Sequence, residues 1–120
     1  MGTILLADDD AAVRDFVRRA LSSDGHTVYT ADDGTEALKI LDVHGAAIGI
    51  IVTDLDMPGL DGISLAREAR ARHPGVAIVF MTAFSDQLDR IKSLGTSRIT
   101  GLAKPFPLDK IKQVVRTIAD

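Results

Sequence analysis

At 120 residues the chain has the length of one domain, 1–120, with room for a single core that buries roughly two-thirds of the chain surface. A hydrophobic content of 46% and a charged content of 26% are ordinary for a globular protein. A net charge of −3 gives no general attraction for nucleic acid or an acidic membrane, and the absence of cysteine removes disulfides, thiol nucleophiles and thiolate metal sites. No apolar run has the length of a membrane span, and the N-terminus enters a strand without a signal-peptide pattern. Met1-Gly2 is not a myristoylation signal, because Leu6 stands where Ser or Thr is required. The cytoplasm is the expected compartment.

Ile4-Leu5-Leu6-Ala7 is an apolar run that stops at Asp8 and Asp9. In the helix that follows, Val13, Phe16, Val17, Ala20 and Leu21 form one apolar stripe, with Arg14, Arg18 and Arg19 off it. Ser22-Ser23-Asp24-Gly25 ends that helix, and His26 to Ala31 is a short strand. Asp33-Gly34-Thr35-Glu36 reads as a capping box, Asp33 as N-cap and Glu36 reaching back. It opens a helix that buries Ala37, Leu38 and Leu41 and stops near His44-Gly45.

Ile50 to Thr53 is the next apolar run, and it ends in Asp54; Leu55-Asp56-Met57-Pro58-Gly59 cannot continue the strand. A helix from about Gly62 to His73 follows, with Ile63, Leu65, Ala66 and Ala69 inward and Pro74-Gly75 as its stop. The basic run Arg67 to Arg72, interleaved with Glu68 and alanines, reads as its solvated face. Val76 to Met81 is a strand stopping at Thr82. Ser85 is the expected cap of a fourth helix with Leu88, Ile91 and Leu94 inward and Gly95 as its end. That helix is short and weakly patterned, so it is expected among the least stable elements. Ile99 to Ala103 is a strand stopping at Lys104, and Pro107 opens a last helix with Leu108, Ile111, Val115 and Ile118 inward.

Near-continuous apolar strands alternating with helices predict an α/β fold: a doubly wound, five-stranded parallel sheet, flavodoxin-like, covered on both faces. In such sheets ligands bind beyond the carboxyl ends of the strands, where strand order reverses. Order 2-1-3-4-5 makes strands one and three neighbours, which brings Asp8, Asp9 and Asp54 together and adds Thr82 and Lys104. Taken singly each residue has a plain reading: Asp9 or Asp10 as a helix N-cap, Lys104 as a surface lysine, Thr82 as a backbone cap. Their occurrence together at four strand ends points to one site.

Three crowded carboxylates with one ammonium call for a hard divalent cation. Two like charges about 4 Å apart cost about 4 kcal/mol at an effective dielectric near 20. Mg²⁺ (or Mn²⁺) suits the site, because it takes one or two carboxylates and leaves positions for phosphate oxygens. The three histidines lie far from these strand ends, which argues against zinc, and the glutamate position of a calcium loop counted from Asp54 is Leu65. With a metal in place, Asp54 can attack phosphorus and form an aspartyl phosphate. Lys104 and the Thr82 hydroxyl then stabilise the phosphoryl oxygens, and Ala83 leaves space for the donor.

From end to end the chain resembles the receiver domains of bacterial two-component response regulators, the CheY-like family. The resemblance is carried by Leu5-Leu6-Ala7-Asp8-Asp9-Asp10, Thr53-Asp54-Leu55-Asp56-Met57-Pro58-Gly59-Leu60-Asp61-Gly62, Met81-Thr82-Ala83 and Lys104-Pro105-Phe106. It implies Asp54 as phosphoacceptor, Asp9 as direct metal ligand, Asp8 acting mainly through water, and the Asp56 backbone carbonyl on the metal. It also implies Thr82 as switch hydroxyl, Lys104 on the phosphoryl group, and a cis Lys104-Pro105 bond. One position departs from the pattern. Receivers usually carry Tyr or Phe three residues before the lysine, where this chain has Gly101. Phe84, two after Thr82, is the candidate to take over part of that aromatic role. Some stand-alone receivers of the CpdR kind, which regulate proteolysis, likewise lack the aromatic.

The expected function is a phosphorylation-controlled switch rather than a conventional enzyme. It would accept a phosphoryl group from a histidine kinase or histidine phosphotransfer protein and present an altered face formed by the fourth helix, fifth strand and last helix. Asp56 and Phe84 are expected to set the lifetime of the phosphorylated state. Neither nucleic acid nor membrane is an expected direct partner, and the expected state is a monomer or a weak phosphorylation-linked dimer. With nothing after Asp120, the domain acts in trans, carries phosphate mid-relay, or is a piece of a longer regulator. The competing reading is a small phosphatase of the haloacid-dehalogenase type, whose nucleophile motif is also Asp-x-Asp after a strand. That family wants Thr or Val where Met57 stands and an acidic pair downstream, whereas the pair here lies upstream.

Overall fold

The computed structural model describes residues 2–94 and 98–119, without the side chains of residues 85, 86 and 92–94. Five strands form one parallel sheet: β1 (Thr3–Ala7), β2 (Thr27–Ala31), β3 (Ile50–Asp54), β4 (Ala77–Thr82) and β5 (Ile99–Ala103), in the order β2-β1-β3-β4-β5. Helices α1 (Ala11–Ser23), α2 (Gly34–His44), α3 (Gly62–Arg72) and α4 (Leu108–Ala119) cover it, and Ser85–Leu94 forms a 3₁₀ segment between β4 and β5. Among the described residues no helix is long and apolar enough to cross a membrane.

Alternation along the central strands splits the core in two. Leu5, Ala7, Ile51, Ile78 and Phe80 pack towards α2 and α3 with Ala37, Leu41, Leu65, Ala66 and Ala69. Ile4, Leu6, Ile50, Val52, Val79, Met81 and Leu102 pack on the other face with Val17, Leu21, Ile111 and Val115. Both faces of β1, β3 and β4 are therefore apolar, as a covered parallel sheet requires.

The caps follow the sequence closely. Asp10 is the N-cap of α1, its carboxylate accepting from the amides of Ala12 and Val13. Asp33 caps α2 by accepting from the Glu36 amide at 2.7 Å. Glu36 does reach back, but to the amide of Asp32 rather than of Asp33. Asp61 caps α3 by accepting from the Ser64 amide at 2.8 Å. Two expected inward residues lie partly in the open, Phe16 at 43% and Leu108 at 38% exposure. Phe16 lines a groove beside Lys104, Pro105 and Phe106, and Leu108 is the first residue of α4.

The largest departure is the segment Ser85–Leu94, expected as an α-helix and found as a 3₁₀ helix. Its entry carries the short-span bond of that helix, the Gln87 amide donating to the Phe84 carbonyl at 3.0 Å. The sequence contains the reason: Leu88, Ile91 and Leu94 recur every third residue, the repeat of a 3₁₀ helix rather than of an α-helix. The Gly95 stop, the Ser85 cap and the Leu94 side chain lie outside the described residues.

Gly62 shows how tightly the start of α3 is set against the end of β3. Its amide donates to the Leu55 carbonyl at 2.9 Å, and a Cβ at this position would stand 2.2 Å from the Asp54 carbonyl oxygen. Backbone meets backbone, so nothing flexible can yield. Gly62→Ala is expected to cost about 2–3 kcal/mol in urea unfolding. Gly75→Ala, with nothing within 4 Å of the added carbon, should stay within about 0.5 kcal/mol of wild type.

Candidate functional site

The sheet register builds the site. Ala7 pairs with Thr53 and Thr82 with Ala103, so the residues just beyond them, Asp8, Asp54 and Lys104, meet at one edge. Backbone bonds past the strand ends hold this edge: the Asp8 amide donates to Ala31 O at 3.2 Å, Leu55 to Met81 O at 3.0 Å, and Lys104 to Thr82 O at 2.7 Å. The side chains are placed by the ladder itself, and β3 needs no loop to present Asp54.

Oxygen atoms of Asp8, Asp9 and Asp54 lie within 4.8 Å of one another. Asp8 is fully buried. One of its oxygens accepts from the Asp10 amide at 2.9 Å and the other from Lys104 Nζ at 3.0 Å. Lys104 Nζ also stands 3.6 Å from Asp54 Oδ2. Asp9, by contrast, is exposed. Because Asp10 takes the capping role, Asp9 is left to face the cluster.

Burial pushes the Asp54 carboxyl up to about 6, with Asp8 and Asp9 adding to the rise and Lys104 opposing it. Burial also works against the charged form of Lys104, but the Asp8 and Asp54 carboxylates outweigh it and raise that group above its usual range. One ammonium among three carboxylates leaves a surplus of negative charge. The donors are all hard oxygens, few and close together, which fits Mg²⁺ or Mn²⁺.

Thr82 is buried, and its hydroxyl is engaged locally: it donates to Phe84 O at 3.3 Å and accepts from the Phe84 amide at 3.1 Å. Ala83 is exposed beside it, a small side chain at the rim. The Lys104-Pro105 peptide is cis, as expected. Next to Lys104 an apolar groove of about 200 Å³ is lined by Val13, Phe16, Pro105 and Phe106.

One expectation changes. Phe84 is 61% exposed, so its ring does not tuck in beside the sheet. The space at Gly101 is instead met by Leu88 and Ile91. At Asp56, Arg90 Nη1 donates to Oδ1 at 3.0 Å in a pair open to solvent. Sequence reasoning missed Arg90, and also Arg14, whose Nη1 donates to the Asp8 backbone carbonyl at 2.7 Å. The apolar stripe of α1 marks Arg14 as lying off it, and neither arginine's sequence neighbours carry any sign of its partner.

The raised Asp54 pKa makes a prediction about stability. A carboxyl that titrates near 6 when folded and near 3.8 when unfolded binds protons more readily in the native state. Its ionisation therefore opposes folding above about pH 6, and the penalty fades as pH falls from 6 towards 4. In metal-free buffer, Asp54→Asn should stabilise the protein by about 1–3 kcal/mol at pH 8 and by much less at pH 4.5, as read by denaturant unfolding.

The geometry agrees with what similar proteins are. The profile of the response regulator receiver domain matches residues 4–116. The chain is 35% identical over 118 residues, 98% of its length, to Sensor kinase CckA of Brucella abortus, of which it covers 12%. A response regulator receiver domain protein from Clostridium thermocellum superposes with a TM-score of 0.89 at 26% identity, covering 98% of this chain and 94% of that one. Response regulator protein TrrA from Thermotoga maritima, in complex with Mg(2+)-BeF, superposes with a TM-score of 0.84 at 28% identity, covering 98% and 99%. The chain spans between 12% and 50% of the length of the curated relatives named as CckA, MprA and NtrC. Profile, sheet order and acidic edge agree, and the chain belongs to the response regulator receiver domain family.

Proposed function

We propose that this domain is a phosphorylation-controlled switch whose phosphoacceptor is Asp54. The observation that carries the reading is the meeting of Asp8, Asp9 and Asp54 within 4.8 Å, with the Lys104 ammonium 3.6 Å from Asp54. The phosphoryl donor is a histidine kinase or histidine phosphotransfer protein. An Asp54 oxygen forms the new O–P bond as the donor's N–P bond breaks, and the imidazole departs neutral with its remaining ring proton. Lys104, already beside the acceptor, offsets charge on the transferred group. Thr82 is in place to join it by giving up its bond to Phe84.

Mg²⁺ or Mn²⁺ would be held by Asp9, Asp54 and the Asp56 backbone carbonyl, with Asp8 acting through water. The hydrogen bonds that both Asp8 oxygens already accept, from the Asp10 amide and Lys104 Nζ, support that division. When bound, the cation supplies positive charge to the phosphoryl oxygens and keeps Asp54 ionised at neutral pH. Chemistry of this kind turns over only the domain's own phosphate. The signal passes to a protein partner through the face formed by the 3₁₀ segment, β5 and α4, as monomer or weak dimer, in the cytoplasm. Membership of the receiver family supports this reading over the phosphatase alternative.

Incubation with acetyl phosphate and Mg²⁺ should add one phosphoryl group per chain, detected by intact mass. Asp54→Asn should abolish the addition, and Asp9→Asn should weaken the Mg²⁺ dependence. Labelling that survives in Asp54→Asn would overturn the assignment. Asp56 lies two residues after Asp54 and Phe84 two after Thr82, so substituting both should change the half-life of the labelled protein; an unaltered half-life removes their tuning role.

A further inference from the structure

The 3₁₀ segment is tied to the molecule on two sides. Towards the sheet, Leu88 and Ile91 stand over Gly101: a Cβ there would lie 2.7 Å from Leu88 Cδ2 and 3.0 Å from Ile91 Cδ1. Gly101 pairs with Phe80 in β4, two residues before Thr82. Towards solvent, Arg90 donates to Asp56 at 3.0 Å, and its second terminal nitrogen lies 3.8 Å from Asp61 Oδ2. Asp56 and Asp61 bound the loop that follows Asp54. One ten-residue segment thus grips both the loop leaving the acidic edge and the floor of the edge strand.

Several features suit this segment to movement. Runs of 3₁₀ helix beyond three or four residues are uncommon, because their internal hydrogen bonds are poorly aligned, so its conformation depends on its anchors. The Arg90–Asp56 pair is open to water, the side chains being 41% and 56% exposed, and exposed pairs exchange at little cost. The Phe84 carbonyl accepts both the Thr82 hydroxyl and the Gln87 amide that begins the segment. A Thr82 that turns to the phosphoryl group would loosen that entry as well.

We propose that Arg90 is a positioning residue that couples the state of Asp54 to the 3₁₀ segment, through the Asp56–Arg90 pair at one end and the Leu88/Ile91 seat on Gly101 at the other. The inference rests on Asp54 as phosphoacceptor. New charge on Asp54 acts first on the loop that carries Asp56. The guanidinium follows that loop, and Leu88 and Ile91 shift on the notch at Gly101. Side chains at i and i+3 eclipse in a 3₁₀ helix, so Leu88 and Ile91 leave or enter the notch together.

The test follows the Leu88 and Ile91 methyl groups by NMR, with and without Mg²⁺ and beryllofluoride, while acetyl phosphate labelling is measured in parallel by mass. In the wild type the mimic should move these methyls between two positions. Arg90→Gln should leave labelling of Asp54 intact yet change the ratio of the two populations by about fivefold, the scale of a weak coupling. Arg90→Lys, which keeps the charge, should restore part of the response, whereas a purely steric role would not. The effects of Arg90→Gln and Asp56→Asn should not add in the double variant. A wild-type methyl response in Arg90→Gln, additive effects, or still methyls in a labelled wild type would each overturn the coupling. If Asp54 is not labelled at all, the phosphoacceptor reading fails first and the coupling fails with it.

Discussion

The burial and crowding of carboxylates at one sheet edge is the constraint on which the rest of this structure turns. Asp8, Asp9 and Asp54 are brought within 4.8 Å of one another by a sheet that cannot easily relax them apart. Parallel register fixes β1 against β3, and the core on both faces fixes the register, because a one-residue slip would turn the apolar set of each strand to the wrong side. The energy of the crowded edge is therefore borne by the hydrophobic layers beneath it. Lys104 relieves part of the repulsion, which leaves the edge poised for a cation and for an electrophilic phosphorus.

The same constraint fits a division in which the proposed chemistry lies on strand ends and the proposed response on a connecting segment. The ladder continues past each strand through the amides of Asp8, Leu55 and Lys104, so the acidic edge has little freedom. By contrast, Ser85–Leu94 is a 3₁₀ segment, a conformation with poorly aligned hydrogen bonds, and among its described side chains Leu88 and Ile91 stand over Gly101. A rigid edge beside a loosely held segment is a sensible division for a switch. The first gathers charge, and the second is cheap to move.

Much of this was legible in the sequence because the strands are short apolar runs that stop at a charged or hydroxyl residue. Strand β3 ends at Asp54 and β5 at Ala103, immediately before Lys104, and a parallel sheet covered on both faces follows from the alternation. Less legible were features that depend on pairs far apart in the chain. Nothing local says that Arg90 meets Asp56, thirty-four positions away, or that Arg14 holds the Asp8 carbonyl. The 3₁₀ conformation lay between these extremes. The period of three at Leu88, Ile91 and Leu94 is visible, but it reads as a poor α-helix unless Gly101 is known to leave room beneath it. Phe84 was the natural substitute for the missing aromatic on proximity alone, and burial decides against it.

The central claim is that this edge holds Asp54 half-buried beside two further carboxylates, so that it resists ionisation until a divalent cation is bound. The direct measurement is the titration of the Asp54 side-chain carboxyl carbon by NMR, without metal and then with Mg²⁺. The account predicts a midpoint near 6 in metal-free protein, falling below the usual carboxylate range once Mg²⁺ is added. A midpoint at the ordinary 3.8 in both conditions would contradict it.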